Sequence, residues 1–127
     1  MPYPSSAQVQ EAFSKFNSDW DYEYHELERN LEFRFSKDNR EALFHWSNEM
    51  PEEVWFSLSS ESGCDLTDWT EMFEEEREHK ALFEYLELIT HRYLECNTRI
   101  KKKFVFFGGE VLQYLNNGEW CELRSPI

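Results

Sequence analysis

The chain has 127 residues, of which 17% are aromatic and 31% are charged, and its formal net charge is −13. We expect residues 1–127 to form a single acidic domain, because this length fits one hydrophobic core. The many aromatic side chains exclude a disordered acidic tail. The excess of carboxylates argues against direct binding to nucleic acid or to an anionic membrane.

The N-terminal residues lack the charged and apolar regions of a signal peptide, and no apolar stretch approaches the length of a membrane span. Cys64, Cys96 and Cys121 form an odd, widely spaced set. Reduced thiols of this kind are typical of cytosolic proteins. The sequence therefore predicts a cytoplasmic location.

A first helix is predicted over residues 6–17, with Ser5 or Ser6 as its N-cap. The residues of its apolar side are Ala7, Val9, Phe13 and Phe16. We expect residues 17–19, Asn-Ser-Asp, to end this helix.

From Trp20 onward, apolar and polar residues alternate with a period of two, which is typical of strands with one buried face. The predicted strands lie over 20–24, 31–35, 42–46 and 54–58, with turns at 37–39 and 48–51 and an end to the meander at 59–63. A helix remains an alternative for the first part, since six residues also fit helical spacing. These residues are Phe13, Phe16, Trp20, Tyr24, Leu27 and Leu31.

Two helical segments are predicted in the middle of the chain. Asp65 or Thr67 is the expected N-cap of the first. Its apolar stripe consists of Leu66, Trp69, Met72 and Phe73, and the polar stretch 74–80 follows it. The second helix has the most regular spacing in the chain and is expected to end near Asn97. Its stripe consists of Leu82, Leu86, Ile89, Tyr93, Cys96 and Ile100.

The C-terminal part is expected to return to strands, at 104–107, 111–115 and 120–123. Gly108-Gly109 and Asn116-Asn117-Gly118 are the predicted turns, and the second is a strong hairpin signal. The predicted fold is therefore α+β. It is an antiparallel meander with an N-terminal helix and a central helical pair packed on one face, followed by a C-terminal β-hairpin.

No short motif for catalysis, for a metal or for a phosphate is present in the sequence. The four histidines are far apart, and Cys64 precedes acidic residues that oppose formation of a thiolate. The basic run Arg99 to Lys103 is expected to end the second central helix, where it would offset the helix dipole. We therefore predict no catalytic residues, no metal and no cofactor, and classify the chain as a non-enzyme.

Negative charge is concentrated in the middle of the chain, where residues 41–90 carry a net charge of −12. This clustering predicts a surface that receives a basic protein, although a solvated helix face kept for solubility is an equal alternative. The predicted partner-binding residues are Asp65, Asp68, Trp69, Glu71, Glu74, Glu75, Glu76 and Glu78. Trp46, Trp55 and Trp69 are candidate aromatic anchors, but each is expected in the core.

The leading hypothesis is a non-enzymatic inhibitor, monomeric or homodimeric, that blocks a basic partner protein. It includes an immunity or antitoxin protein acting on a toxin, and a phage-type anti-defence protein that mimics nucleic acid. A chaperone or adaptor for a secreted or basic partner is an alternative. Another is an enzyme whose site is assembled only in the tertiary structure.

Overall fold

A computed structural model describes residues 4–16, 19–47, 53–71, 76–102 and 110–123. In chain order the elements of these ranges are α1 (Ser6–Ser14), β1 (Asp21–Glu26), β2 (Asn30–Lys37), β3 (Arg40–Ser47), β4 (Glu53–Ser60), β5 (Gly63–Glu71), α2 (Glu76–Glu95), β6 (Thr98–Lys102), β7 (Glu110–Asn116) and β8 (Glu119–Leu123). The α+β class predicted from the sequence is confirmed. Within these ranges no helix is both long and apolar enough to cross a membrane.

The first five strands form one antiparallel sheet in sequence order. Buried and half-buried residues alternate along β2 and β3, as the period of two predicts. We define the inner face of this sheet by its buried residues. They are Leu31, Phe33, Phe35, Ala42, Phe44, Trp46, Val54, Phe56, Leu58, Leu66 and Thr70. The outer face consists of the residues that alternate with them.

Helix α1 begins where the sequence predicts and is shorter than predicted. The Ser5 hydroxyl accepts a hydrogen bond from the Gln8 amide, and the Gln8 side chain accepts one from the Ser5 amide, which completes a capping box. Val9 and Phe13 are buried whereas Ala7 is exposed, and the helix ends at Ser14. Phe13 stacks on Phe33 of the inner face with ring centroids 4.2 Å apart.

The first helix of the predicted central pair is wrong over residues 65–71, which lie in strand β5. The meander therefore continues past 59–63 instead of ending there. Leu66 and Thr70 are buried on the inner face, whereas Trp69 is exposed on the outer face. Trp69 follows Leu66 by three residues, a spacing that also fits one side of a helix, and this explains the error.

The second predicted helix is confirmed as α2. Of its predicted stripe, Leu82, Leu86, Ile89 and Tyr93 are fully buried, whereas Cys96 and Ile100 lie beyond the end of the helix. The helix contacts β2 and β3. The helix ends at Glu95 and not beyond it. One nitrogen of Arg40 donates hydrogen bonds to the carbonyl oxygens of Tyr93 and Cys96 and to the hydroxyl of Thr98. Arg40 of β3 thus satisfies carbonyl groups at the end of α2.

The expectation that residues Arg99 to Lys103 end a helix is wrong for the part that the structure describes, because Thr98–Lys102 is strand β6. Strands β6, β7 and β8 form a second antiparallel sheet. The predicted hairpin between β7 and β8 is confirmed. Asn117 and Gly118 both have positive φ values, of 51° and 82°, as a two-residue type I′ turn requires.

Some predicted features lie outside the described residues. They are Asn17 and Ser18, the turn at 48–51, Met72 and Phe73, the strand at 104–107 and the turn Gly108-Gly109. The buried core includes residues of both helices and of both sheets. From the second sheet, Leu112 and Leu123 belong to the same hydrophobic cluster as Phe13 and Leu86.

Candidate partner-binding face

The outer face of the five-stranded sheet carries a row of side chains that crosses all five strands. By strand register the row consists of His25, Glu32, His45, Trp55 and Trp69. Directly opposed residues on one face of an antiparallel sheet have their Cβ atoms about 5 Å apart. The row therefore places two tryptophans side by side at the β4–β5 end and a carboxylate between two histidines at the other end.

Trp55 and Trp69 form an exposed aromatic pair. Their ring centroids are 5.9 Å apart and the rings are tilted by 31°. Their exposed fractions are 45% and 43%, although a side chain of this size is usually buried. The indole nitrogen of Trp55 donates a hydrogen bond of 3.1 Å to Glu53, which fixes a carboxylate at the edge of the pair.

Small polar side chains extend the same face beyond the tryptophan pair. The hydroxyls of Ser57 and Thr67 are 3.5 Å apart, and the thiol of Cys64 is 3.2 Å from the Thr67 hydroxyl. Cys64 is an exposed free thiol beside the hydroxyl of Thr67. This part of the face offers hydrogen-bonding groups around an aromatic centre.

Negative charge predominates on the outer face. Strand register places Asp21, Glu23, Glu32, Glu41 and Glu53 there. The five strands contain three lysines and arginines, and Arg34 is the one that shares this face. Its guanidinium forms ion pairs with Glu41 and, at 3.7 Å, with Glu23. The face is therefore acidic, and its one strand arginine is already paired.

No protein-family model, no curated protein and no solved structure matches this chain.

The predicted acidic residues do not share one helical surface, because the first of them lie in β5. Asp65 lies at a bulge, since Leu58 pairs with Leu66 whereas Ser59 pairs with Cys64. Its carboxylate accepts a hydrogen bond of 2.5 Å from the hydroxyl of Tyr93 on α2. Asp65 therefore joins β5 to α2.

Asp68 pairs with the buried Phe56 and is half-buried. Burial raises the pKa of Tyr85 to about 12, and the negative charge of Asp68 contributes to this shift. Asp65 and Asp68 thus point toward groups of α2, away from the tryptophan pair. A strand with period two separates residues 68 and 69 onto opposite faces, which a helix would not do.

The remaining predicted site residues fall at the junction between β5 and α2. Trp69 is in the exposed pair, Glu71 is the last residue of β5 and pairs with Glu53, and Glu78 is half-buried on α2. Glu76 is the first residue of α2. Glu74 and Glu75 lie outside the described residues. Their role in partner binding stays a prediction.

Of the three candidate anchors, only Trp46 is in the core, where it is 3% exposed. The expectation that Trp55 and Trp69 lie in the core is wrong. A signal for Trp55 was present in the sequence, because Val54 and Phe56 flank it in a predicted strand and a strand places neighbours on opposite faces. No comparable signal exists for Trp69, because its segment also fits helical spacing.

A second candidate site is a cleft of about 520 Å³ beside the exposed side of α2. Its lining residues are Lys15, Trp20, Glu84, Glu87, Leu88, His91 and Arg92. The Nδ1 atom of His91 lies 3.0 Å from a guanidinium nitrogen of Arg92. Charges of both signs surround an apolar wall. In the described part of the chain, no three metal-ligating side chains converge on one point.

Polar contacts also hold the C-terminal end of α2 against the sheet. The ammonium of Lys37 and the indole nitrogen of Trp20 both donate to Glu95, at 2.7 and 2.8 Å. The hydrogen bond from Lys37, followed by the one from Trp20, lowers the pKa of the Glu95 carboxyl. Burial and the hydrogen bond to Asp65 raise the pKa of Tyr93. These groups belong to the folded framework, on the side opposite the tryptophan pair.

Proposed function

We propose that this protein is a non-enzymatic inhibitor that binds a basic partner protein through the outer face of its five-stranded sheet. The observation that carries the proposal is the exposed Trp55–Trp69 pair, because tryptophans are strongly enriched among the residues that dominate binding energy at interfaces. Phe13 of α1 and the buried stripe of α2 belong to the core on the inner face. In the described part of the chain, both helices contribute to the core on the inner face, and Trp55 and Trp69 are exposed on the outer face.

The charge of the chain supports a basic partner. A net charge of −13 and the carboxylates around the pair attract a cationic surface over several ångströms. Steering of this kind raises association rates to about 10⁸–10⁹ M⁻¹ s⁻¹ at low salt. An immunity or antitoxin protein benefits from such rates, because it must capture a toxin before the toxin acts. A phage-type anti-defence protein that mimics nucleic acid would exploit the same charge.

Two properties of the chain remain part of this proposal. We place the protein in the cytoplasm, where the three cysteines, which are free in the structure, would stay reduced. We propose a monomer or a homodimer, and a chaperone or adaptor for a basic partner would use the same face. Glu71, Glu74, Glu75 and Glu78 are proposed as additional contacts at the β5–α2 junction.

The test is affinity capture of partners at low salt with matched variants of the full chain. Trp55→Ser and Trp69→Ser remove the two anchors. Trp120→Ser is the control, because Trp120 is also exposed, at 38%, but lies on the three-stranded sheet. We expect one stoichiometric basic protein to bind the wild type and the control, and to be lost from both outer-face variants.

A salt series separates the electrostatic contribution from the aromatic one. Reversal of Glu53 to Lys should weaken capture more than reversal of Glu84, an exposed residue of α2. Reversal of the four junction glutamates together tests the predicted acidic segment. Equal retention by all outer-face and junction variants would show that this face is only solvated and would refute the proposal.

A second candidate function is an enzymatic or small-ligand function at the cleft beside α2. Its specific support is the proximity of His91 and Arg92 to the wall formed by Trp20. A small molecule that raises the melting temperature of the wild type, but not of a Leu88→Glu variant, would favour this function. The outer-face variants should then respond like the wild type.

A further inference from the structure

The three-stranded sheet shows how this protein surrounds an exposed tryptophan. The guanidinium carbon of Arg99 lies 4.2 Å from the ring centroid of Trp120, and the Arg99 side chain donates a hydrogen bond of 2.6 Å to Gln113. Gln113 in turn donates to Glu122. An arginine thus covers the indole, and an acceptor holds the arginine in place.

Arginine is the cation in three cation–π contacts of this protein. Besides Arg99, Arg40 lies 5.0 Å from the ring centroid of Tyr93, and Arg92 lies 4.8 Å from that of Tyr114. None of these three contacts involves Trp55 or Trp69. Arg34, the one strand arginine of the outer face, pairs with glutamates instead.

The Trp55–Trp69 pair has the other components of such a contact. Two indoles are exposed side by side, and the hydrogen bond from Trp55 holds the Glu53 carboxylate next to them. A planar guanidinium can stack on an indole while its N–H groups bind a carboxylate, and it is more weakly hydrated than an ammonium group. The exposed pair therefore offers both an indole face and a carboxylate to a guanidinium group.

We propose that Trp55, Trp69 and Glu53 form a receptor for an arginine side chain of the partner protein. This inference rests on the proposed function and specifies its chemistry, because it names the anchor that the partner inserts. The net negative charge of the face favours a cationic group over a neutral one, and the planar aromatic surface favours arginine over lysine.

The probe for this receptor is N-acetyl-arginine amide, added to the full chain without any partner. The indole N–H signals of the five tryptophans are followed by two-dimensional NMR. We expect saturable shifts at Trp55 and Trp69, and no comparable shift at Trp120, which Arg99 already covers. The lysine and citrulline amides serve as matched ligands. The citrulline amide should bind at least about threefold more weakly than the arginine amide, since citrulline has the shape of arginine without its charge.

Two variants calibrate the measurement. Glu53→Gln keeps the shape of the side chain but removes its charge, and should weaken arginine binding by about threefold or more. Arg99→Gln uncovers Trp120, which should then shift with arginine as the outer pair does. A shift of Trp120 in the second variant shows that the experiment detects arginine on an exposed indole. The absence of a shift at Trp55 and Trp69 would then mean that arginine does not bind there.

Three results would each overturn the receptor. The first is equal shifts with citrulline and with arginine, and the second is a shift at Trp120 of the wild type as large as those at Trp55 and Trp69. The third is no shift at Trp55 and Trp69 under conditions in which Trp120 of the Arg99→Gln variant does shift. Its failure is distinguishable from failure of the proposed function. If Trp69→Ser loses partner capture but the wild type does not prefer arginine to citrulline, the binding face is supported and the arginine receptor is refuted. Arginine selectivity without any captured protein contradicts the proposed inhibitor.

Discussion

The two faces of the five-stranded sheet are built from the same strands, and they differ in what their side chains contact. On the inner face, Phe33, Phe44 and Phe56 are almost fully buried, and Phe13 packs against two of them. On the outer face, Trp55 and Trp69 contact each other and remain nearly half exposed. The inner face therefore supplies folding energy, whereas the outer face leaves apolar area exposed to solvent.

The same contrast applies to the arginines of the two faces. Arg40 donates three hydrogen bonds to the α2 end and to β6, whereas Arg34 pairs with exposed or half-exposed glutamates. A cation that satisfies helix carbonyls is part of the framework. A cation in a surface ion pair contributes little to stability.

The largest expected effect separates two neighbouring residues of β4. Phe56→Ala should reduce the free energy of unfolding by about 3–5 kcal/mol, because it empties a buried aromatic site. Trp55→Ala should change it by no more than about 1 kcal/mol, because Trp55 lies on the outer face. Urea unfolding of the two variants measures both values. A loss at Trp55 as large as that at Phe56 would mean that the outer face is also part of the core.

The next effect compares Arg40 with Arg34. Arg40→Met should cost about 2–3 kcal/mol of unfolding free energy, because it removes a charged donor that three acceptors share and leaves helix carbonyls without a donor. Arg34→Met is the matched control, and its expected cost is below about 1 kcal/mol. Chemical denaturation at constant ionic strength measures the difference, and equal costs would contradict the framework role of Arg40.

The smallest expected effect is a pH dependence of stability that comes from Glu95 at the end of α2. Hydrogen bonds from Lys37 and Trp20 lower the pKa of Glu95 below its usual value of 4.5. Glu95 therefore stabilises the fold above pH 4.5, and this contribution is lost as the pH falls through the lowered native pKa. Melting temperatures of wild type and Glu95→Gln should differ near neutral pH and converge in acid.

A second variant identifies the cause of that pH dependence. Lys37→Met removes the main donor to Glu95. When Lys37 is replaced, the Glu95→Gln substitution should therefore change the melting temperature much less than it does in the wild type. A difference that stays constant from neutral pH into acid would mean that Glu95 stabilises the fold only through its shape.

Much of the fold could be predicted from the sequence wherever one face of an element is uniformly apolar. Strands β2 to β4 and the stripe of α2 satisfy this condition. Strand β5 does not, because Asp68 lies on its inner face and Trp69 on its outer face. The end of α2 lies two residues before the predicted Asn97, but the spacing that continues to Ile100 gives no sign that β6 begins at Thr98, where Arg40 makes a contact distant in sequence.

The candidate site was predicted only in part, for a related reason. Trp69 is among the predicted partner contacts, but Trp55 lies next to it only because of the β4–β5 register. That register includes the bulge at Asp65, which no local pattern indicates. The site therefore depends on strand pairing, whereas composition and spacing report only which residue types are available.

The position of Arg40 has a consequence for how the molecule opens. One guanidinium binds the last turn of α2 and the first residue of β6 while its backbone belongs to the central strand β3. The end of the helix cannot fray and the start of β6 cannot detach without breaking these bonds. Amide protons near Cys96 and Thr98 should therefore exchange with solvent through the same cooperative opening as those of β3, as one folding unit.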